Sequence, residues 1–479
     1  MTDRFTSEHK RRFDAAVHWI ESFIRPITGT APQKTRADWD TDGPGRLDRM
    51  ATLLTSFGHP ERRYETLHVT GTSGKGSVCT YLGSVLRASG RRTGVHATPY
   101  LQTPVEKLQV DGRYASGEEL AGLVDEFRSL LPEGRAATDG LPYPALWVAL
   151  TYLYFARKHV DSAVIEVSTG GRFDWTNTLN PRVTVVTTVG PDHLMSLGPS
   201  LADVAYHKTG IIKPGIPSVT GVHLPERLII EQEADRQCSP LLRLGVEFDY
   251  SVRRCTESGT IFDFESHVSG LRSCKSLEIG MLGRYQAFNA ALATAALGSY
   301  GTENSAIDED ALRTGLRDAR LPGRMELIQR GPDVLLDGAH NPEKAAALAD
   351  SIAAIFPDRR LLLVIGALST KDVSGILEPF AGMTRTATLT IPHVLGKSGL
   401  DPERMARTAA VLGINAHVEP DPAVAVQAAM ASARPDDLVL VTGSLYLVGE
   451  VRRLWVPDEQ VLATGYSTPG GATSAAKHA

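Results

Sequence analysis

The chain has 479 residues, 42% of them hydrophobic and 22% charged, with 50 basic against 55 acidic side chains and a formal net charge of −5. That length exceeds what one hydrophobic core can organise and predicts two or three domains of about 100–200 residues each. A near-balanced charge with no dense Lys/Arg run excludes a nucleic-acid surface as the main partner, and no apolar run approaches the roughly 20 residues needed to cross a bilayer. Four cysteines (Cys79, Cys238, Cys255, Cys274) fall in no CxxC pair, which argues against zinc, and the start MTDRFTSEHKRR lacks the apolar core of a signal peptide. The composition therefore reads as a cytoplasmic protein acting on small molecules, with no membrane and no nucleic acid. A monomer fits a self-contained two-domain plan.

In chain order, an amphipathic stretch at 13–23 is followed by a polar loop rich in Thr, Pro and Asp. Then comes the most informative segment, LHVTGTSGKGS at 67–77. A short apolar run opens into Gly71, Gly74 and Gly76, which reach backbone angles closed to other residues. The turn can therefore aim successive N–H groups from Thr72, Ser73, Gly74, Lys75, Gly76 and Ser77 at phosphate oxygens. Lys75 adds a point charge, and Ser77 is placed to meet Mg²⁺. The generic P-loop pattern is not met, because Val69 stands where its first glycine belongs and Gly76 separates the lysine from the hydroxyl. An ordinary glycine-rich strand-to-helix turn is the competing reading.

Beyond it, strand-length apolar runs at 66–70, 162–167 and 183–189 alternate with helix-length segments, which predicts a parallel, helix-covered sheet with its ligand at the strands' carboxyl ends. Glu166 ends one run and Asp192-His193 follows another, so both reach the sheet edge that carries the glycine loop. A carboxylate, an imidazole and the Ser77 hydroxyl suit a magnesium shell, although imidazole is a softer ligand than Mg²⁺ usually takes. Read singly, Glu166 and His193 serve equally well as capping residues. Around 238–282 the texture turns to short β-rich pieces, 285–300 reads as an alanine-rich helix, and the first domain ends near Leu321-Pro-Gly-Arg324. A second α/β alternation follows, with strands at 334–336, 361–365 and 438–442, a helix at 343–355 and another beginning near Val448. This predicts a large ATP-binding domain over 1–322, a smaller doubly wound domain over 323–463, and a loose tail at 464–479 with too little apolar bulk to order itself.

Eight blocks in order, HVTGTSGKGS, VIEVSTGGRFDWTN, TVGPDHLMSLG, HKTGIIKPG, MLGRYQAFNA, LPGRMEL, LLDGAHNP and TGSLYLVGEV, resemble the folylpolyglutamate synthase and dihydrofolate synthase branch of the Mur ligases. The resemblance covers most of the chain. It implies an α/β fold in two lobes and an enzyme in which ATP phosphorylates a substrate carboxylate before an amino acid, L-glutamate in most of the family, attacks the acyl phosphate. It implies that Lys75 meets the β- and γ-phosphates and that Ser77, Glu166 and His193 hold magnesium. Lys208 would react with CO₂ to form a carbamate able to hold a second Mg²⁺. By the same carry-over, Asn289 and Asp337 contact ATP, Arg324 reaches the transferring phosphate when the lobes close, and His340 and Ser444 form the amino-acid site. Thr98, Tyr100, Asp174 and Trp175 fall on the substrate acid.

Several positions depart from the family. Thr98-Pro-Tyr-Leu101 stands for Ser-Pro-His-Leu, Glu106-Lys107-Leu108 for Glu-Arg-Ile, Ser73 for Asn, and Trp175 for a small residue beside Asp174; the arginine-alanine pair usual near 391–398 is missing. Nucleotide chemistry is preserved while the acid is left open: a folate, dihydropteroate, another carboxylic acid in a specialised pathway, or no turnover at all in a nucleotide-binding scaffold.

Overall fold

The computed structural model describes residues 6–24, 33–131, 141–300, 307–394 and 396–467. Two helices, α1 (Ser7–Glu21) and α2 (Arg36–Ser56), precede the first strand. Much of the expected polar loop is therefore helix. Thr35 caps α2 by accepting from the Asp38 N–H while Asp38 reaches back to the Thr35 N–H, and Trp39, Met50, Leu53 and Leu54 bury one face despite Pro44 in mid-helix. Reciprocal capping and an apolar stripe outweigh the polar composition here.

The chain then runs through β1 (Glu65–Thr70), α3 (Lys75–Ala88), β2 (Thr93–His96), β3 (Gln109–Val110), β4 (Arg113–Tyr114), α4 (Gly117–Leu130), α5 (Tyr143–Arg157), β5 (Ser162–Glu166) and β6 (Val183–Val186). Next come α6 (Leu194–Leu197), α7 (Leu201–Thr209), β7 (Ser218–Thr220), α8 (Arg227–Arg236) and β8 (Leu241–Arg243). These strands form one sheet in the order β4-β3-β2-β5-β1-β6-β7-β8, parallel from β2 to β8, with β3 and β4 antiparallel at one edge. β1 lies between β5 and β6, so the loops leaving these three strands open side by side. That adjacency is what gathers the glycine loop, Glu166 and the 187–193 segment.

An antiparallel sheet of β9 (Phe248–Thr256), β10 (Gly259–Ser266) and β11 (Cys274–Ile279) follows, then α9 (Tyr285–Tyr300) and α10 (Glu309–Asp318). The alanines of α9 let it pack close to α3 and both sheets within one continuous core. The second unit comprises β12 (Glu326–Gln329), β13 (Asp333–Leu336), α11 (Pro342–Ile355), β14 (Arg360–Ile365), α12 (Val373–Leu377), β15 (Thr384–Leu389), α13 (Pro402–Val411), β16 (Ala416–Val418), α14 (Pro422–Ser432), β17 (Asp437–Thr442), α15 (Leu445–Arg452) and α16 (Asp458–Thr464). Its sheet order is β12-β13-β17-β14-β15-β16, parallel except for β12. Leu361, Leu363 and Ile365 of β14 face one core and Leu362 and Val364 the other, as expected of a parallel strand covered on both sides.

Two boundaries differ from expectation. α15 begins at Leu445, three residues before the expected start, because Ser444 caps it. The chain also stays packed past 464: α16 contributes Val461 and Leu462 to the core built on α1, α4 and α5, and the Arg452 guanidinium donates to the Ser467 hydroxyl at 2.6 Å. A buried cation with a fixed acceptor holds this stretch where apolar bulk does not. The remainder of the expected tail lies outside the described residues.

Candidate active site

At the end of β1 the chain turns through Gly71 and Gly74. Gly74 sits at φ +85° as the residue before α3, and a Cβ there would collide with the Asn289 carboxamide, so the turn needs glycine for both conformation and space. Neighbouring loop residues pin it from the side. The Thr72 N–H donates to the Thr188 carbonyl at 2.9 Å, the Ser73 N–H to the Thr188 hydroxyl at 2.9 Å, and the Thr187 hydroxyl to the Ser73 carbonyl at 2.5 Å. Lys75 opens α3, its Nζ donating to the Gly71 carbonyl at 3.0 Å and lying 3.9 Å from Glu166 Oε1. Burial pushes the Glu166 carboxyl up, and Lys75 chief among its neighbours pulls it back.

A cavity of about 380 Å³ lies between the two sheet units. Residues 72–77, Glu166 and His193 line it from the first unit, and Arg324, Asp337 and His340 from the second. α9 supplies Tyr285, Phe288 and Asn289, spaced so that one helical face meets the cleft. The Asp337 carboxylate is buried and already accepts from the Met325 and Ala339 N–H groups at 2.9 and 2.8 Å, which shapes the turn carrying His340. Arg324 donates to the adjacent Gly323 carbonyl at 3.0 Å, leaving much of its guanidinium for a ligand.

Thr98 and Tyr100 line the same cavity. Their loop is held by Glu106, whose carboxylate accepts from the N–H groups of Leu101, Gln102 and Thr103 at 2.8–2.9 Å. Asp174 and Trp175, expected on the substrate acid, do not line the cleft. Asp174 caps a helical turn, accepting from the Thr176 N–H at 3.0 Å and its hydroxyl at 2.6 Å. Trp175 is 3% exposed within the core of α1, α4 and α5, with the Arg46 guanidinium of α2 4.6 Å from its ring and Trp39 on the far side of that guanidinium at 4.8 Å. The indole has filled space instead of offering a stacking face, because α2 closes over it. Ser444, expected on the amino acid, is likewise off the cavity; 2% exposed, its hydroxyl accepts from the Tyr446 N–H at 3.2 Å as the α15 cap, and Leu445 faces the cleft in its stead.

Lys208, on α7, faces a small recess shared with Lys75, Asp192 and His193. Its ammonium is buried without a carboxylate in ion-pair range among the described residues, and burial, with Lys75 adding repulsion, holds its pKa well below the usual lysine range. A neutral amine is the form that attacks CO₂. His193 sits in left-handed backbone at φ 56°, with Nε2 3.8 Å from the Asp192 carboxylate. Among the described residues no group of three or more His, Cys, Asp or Glu side chains could hold a metal alone. Ser77, Glu166 and His193 fit Mg²⁺ as a hydroxyl, carboxylate and imidazole set on one wall, leaving the remaining positions for oxygens of a nucleotide or water. Lys344, in the first turn of α11, also lines the cleft and is a residue the motif reading passed over; no local pattern marked it, because His340 lies outside the helix.

Residues 69–297 match the Mur ligase middle domain and residues 323–445 the Mur ligase glutamate ligase domain. A Bacillus subtilis dihydrofolate synthase/folylpolyglutamate synthase is 34% identical over 418 residues, covering 86% of this chain and 94% of its own. The chain belongs to the folylpolyglutamate synthase/dihydrofolate synthase family of Mur ligases. Mycobacterium tuberculosis folylpolyglutamate synthase complexed with ADP superposes with a TM-score of 0.81 at 28% identity, over 93% of this chain and 98% of that one. Escherichia coli FolC in complex with DHPP and ADP gives 0.77 at 28% identity, over 92% and 97%. The protein is an ATP-dependent ligase that releases ADP, which sets aside a scaffold without turnover. No helix among the described residues is long and apolar enough to cross a membrane.

Proposed function

We propose that the protein joins L-glutamate to a folate-class carboxylic acid, a reduced folate or dihydropteroate, through an acyl phosphate. The observation that carries this reading is the cleft itself, in which one cavity meets the phosphate loop and Glu166 on one wall and Arg324 and His340 on the other. ATP seats its phosphates on the N–H groups of residues 74–77 beside Lys75, with Asn289 and Asp337 on the nucleotide. Ser77, Glu166 and His193 hold magnesium, which when bound offsets phosphate charge. The acid enters along Thr98 and Tyr100 and its carboxylate oxygen attacks the γ-phosphorus, ADP leaving. Arg324 meets the transferring phosphate's oxygens. The amine of the amino acid, held near His340, then attacks the acyl carbon; the amide bond forms, phosphate departs and the amine loses a proton.

Lys208 supports this chemistry as a carbamate: its neutral Nζ adds to the carbon of CO₂ and releases one proton, converting a neutral amine into an anion that would suit a second magnesium. Lys208→Ala is expected to lose more than about 100-fold in turnover, on the scale of removing a metal-orienting group, while Lys208→Glu retains a measurable fraction. Full activity in Lys208→Ala contradicts the assignment. The protein works as a cytoplasmic monomer divided near 322/323, with α16 returning to the first unit.

A second reading keeps the chemistry and changes the acid, and a specific observation favours it: Trp175 and Arg46 fill the space beside Asp174. Phosphate release with ATP, L-glutamate and tetrahydrofolate or dihydropteroate, against a panel of other carboxylic acids, tests both. Mass spectrometry of the product identifies the acid extended. Turnover confined to acids without a pterin overturns the folate reading.

A further inference from the structure

α11 starts at Pro342 behind the extended cap Asn341, so His340, in the loop just before the cap, and Lys344, in the first turn, both lie on the wall that faces the cleft. His340 Nδ1 is 2.8 Å from the Gly338 carbonyl, and a carbonyl only accepts, so Nδ1 carries the hydrogen and Nε2 presents its lone pair. The Lys344 ammonium, 3.2 Å away, donates to that lone pair. Burial and the neighbouring Lys344 charge hold the imidazole pKa down to about 3, so it stays neutral and its tautomer is fixed. Nothing else ties the ammonium down: no carboxylate of the described residues lies within 4 Å of its Nζ. It is half-buried, among Lys75, Arg324 and Lys371, with Asp192 as the opposing charge.

A lysine in this position is poorly served by the empty protein. It keeps two N–H donors turned to the cavity, and burial lowers its pKa to about 8. An anion supplied by a ligand would satisfy both donors. On the proposed reading the triphosphate has its own cradle on the opposite wall, in residues 74–77 with the Lys75 side chain. Lys344 belongs to the unit that matches a glutamate ligase domain, within residues 323–445.

We propose that Lys344, held in aim by the neutral His340, is the anchor for a carboxylate of the incoming amino acid. The inference rests on the amino-acid ligase reading and deepens it, since His340 then positions the anchor and the anchor meets the substrate. It uses no property of the acid acceptor.

The test is steady-state phosphate release by the full chain with ATP, Mg²⁺ and the best acid of the panel, varying L-glutamate, for wild type, Lys344→Ala and Lys344→Arg. Losing one charge-assisted hydrogen-bonded contact raises KM for glutamate by about 10- to 100-fold, with KM for ATP within about threefold, and Lys344→Arg recovers part of the loss. L-glutamine as a second amino acid separates the two carboxylates: equal losses for both assign Lys344 to the α-carboxylate, and a loss confined to glutamate assigns it to the side chain. An unchanged KM for glutamate, or a rise confined to ATP, overturns the proposal. Turnover of glutamate confined to acids outside the folates sinks the folate reading and leaves this one standing. Absence of any glutamate turnover by wild type sinks this one.

Discussion

Replacing Trp175 by alanine probes one of the departures from the family pattern. The indole is 3% exposed and its removal leaves a void under α2, which for a buried tryptophan costs about 3–5 kcal/mol. One contribution runs the other way: Trp175 Nε1 is buried with no hydrogen-bond partner, and deleting an unsatisfied donor returns about 1 kcal/mol. The net loss is therefore about 2–4 kcal/mol, which moves the urea midpoint of the first unit down by on the order of 1 M. Trp175→Phe keeps most of the packing, removes the orphaned N–H and should sit close to wild type. Tryptophan fluorescence and circular dichroism against urea measure both variants. A midpoint shift in Trp175→Ala below about 0.3 M would refute the packing argument. Because the indole does not line the cleft, the same variant should leave the acid preference and KM for ATP close to wild type. A large rise in KM for ATP would instead mean that the indole supports the nucleotide.

Gly74→Ala puts a Cβ into left-handed backbone at φ +85° and against the Asn289 carboxamide; a strain of about 1–2 kcal/mol before the clash is relieved should raise KM for ATP at least about tenfold and lower the melting temperature by a few degrees, as steady-state kinetics and a melting curve will show. His68 and His96 are buried, and desolvation holds both pKa values down to about 3, with Lys213 and Lys107 respectively adding repulsion. Their folded values lie below the unfolded value of about 6.5, so the unfolded chain binds more protons in between, and stability that is full above about pH 6.5 is lost as pH falls. Each such histidine removes about 1.4 kcal/mol per pH unit well below that point. Urea midpoints from pH 7.5 to 5.5 should fall in wild type and fall less steeply in His68→Gln; a flat profile would show that these imidazoles accept protons in the folded state.

The nucleotide half of the site was legible before any tertiary structure. Its chemistry is written in backbone terms: glycines at 71, 74 and 76, a lysine opening the helix, a carboxylate at the end of one apolar run and an imidazole in the loop after another. The i, i+3, i+4 face of α9 is of the same kind, and the helix bounds Tyr285–Tyr300 match the alanine-rich reading. Helix caps follow local rules too, yet α2 escaped, because a capping box and four spaced apolar residues are easily lost among Asp, Thr, Gly and Pro.

What the sequence determined by itself was the strand-turn-helix order, and with it the sheet edge where the glycine loop, Glu166 and the 187–193 segment meet; local backbone geometry and strand order suffice for that. Only the tertiary structure decided which side chains of the matching motifs face the cleft. Trp175 and Ser444 stand at the expected sequence positions, but α2 packs over one and α15 recruits the other as its cap, while Lys344, in no motif, reaches His340 Nε2 at 3.2 Å. Side-chain exposure depends on which distant segment lands on a residue, and a linear pattern carries no term for that contact.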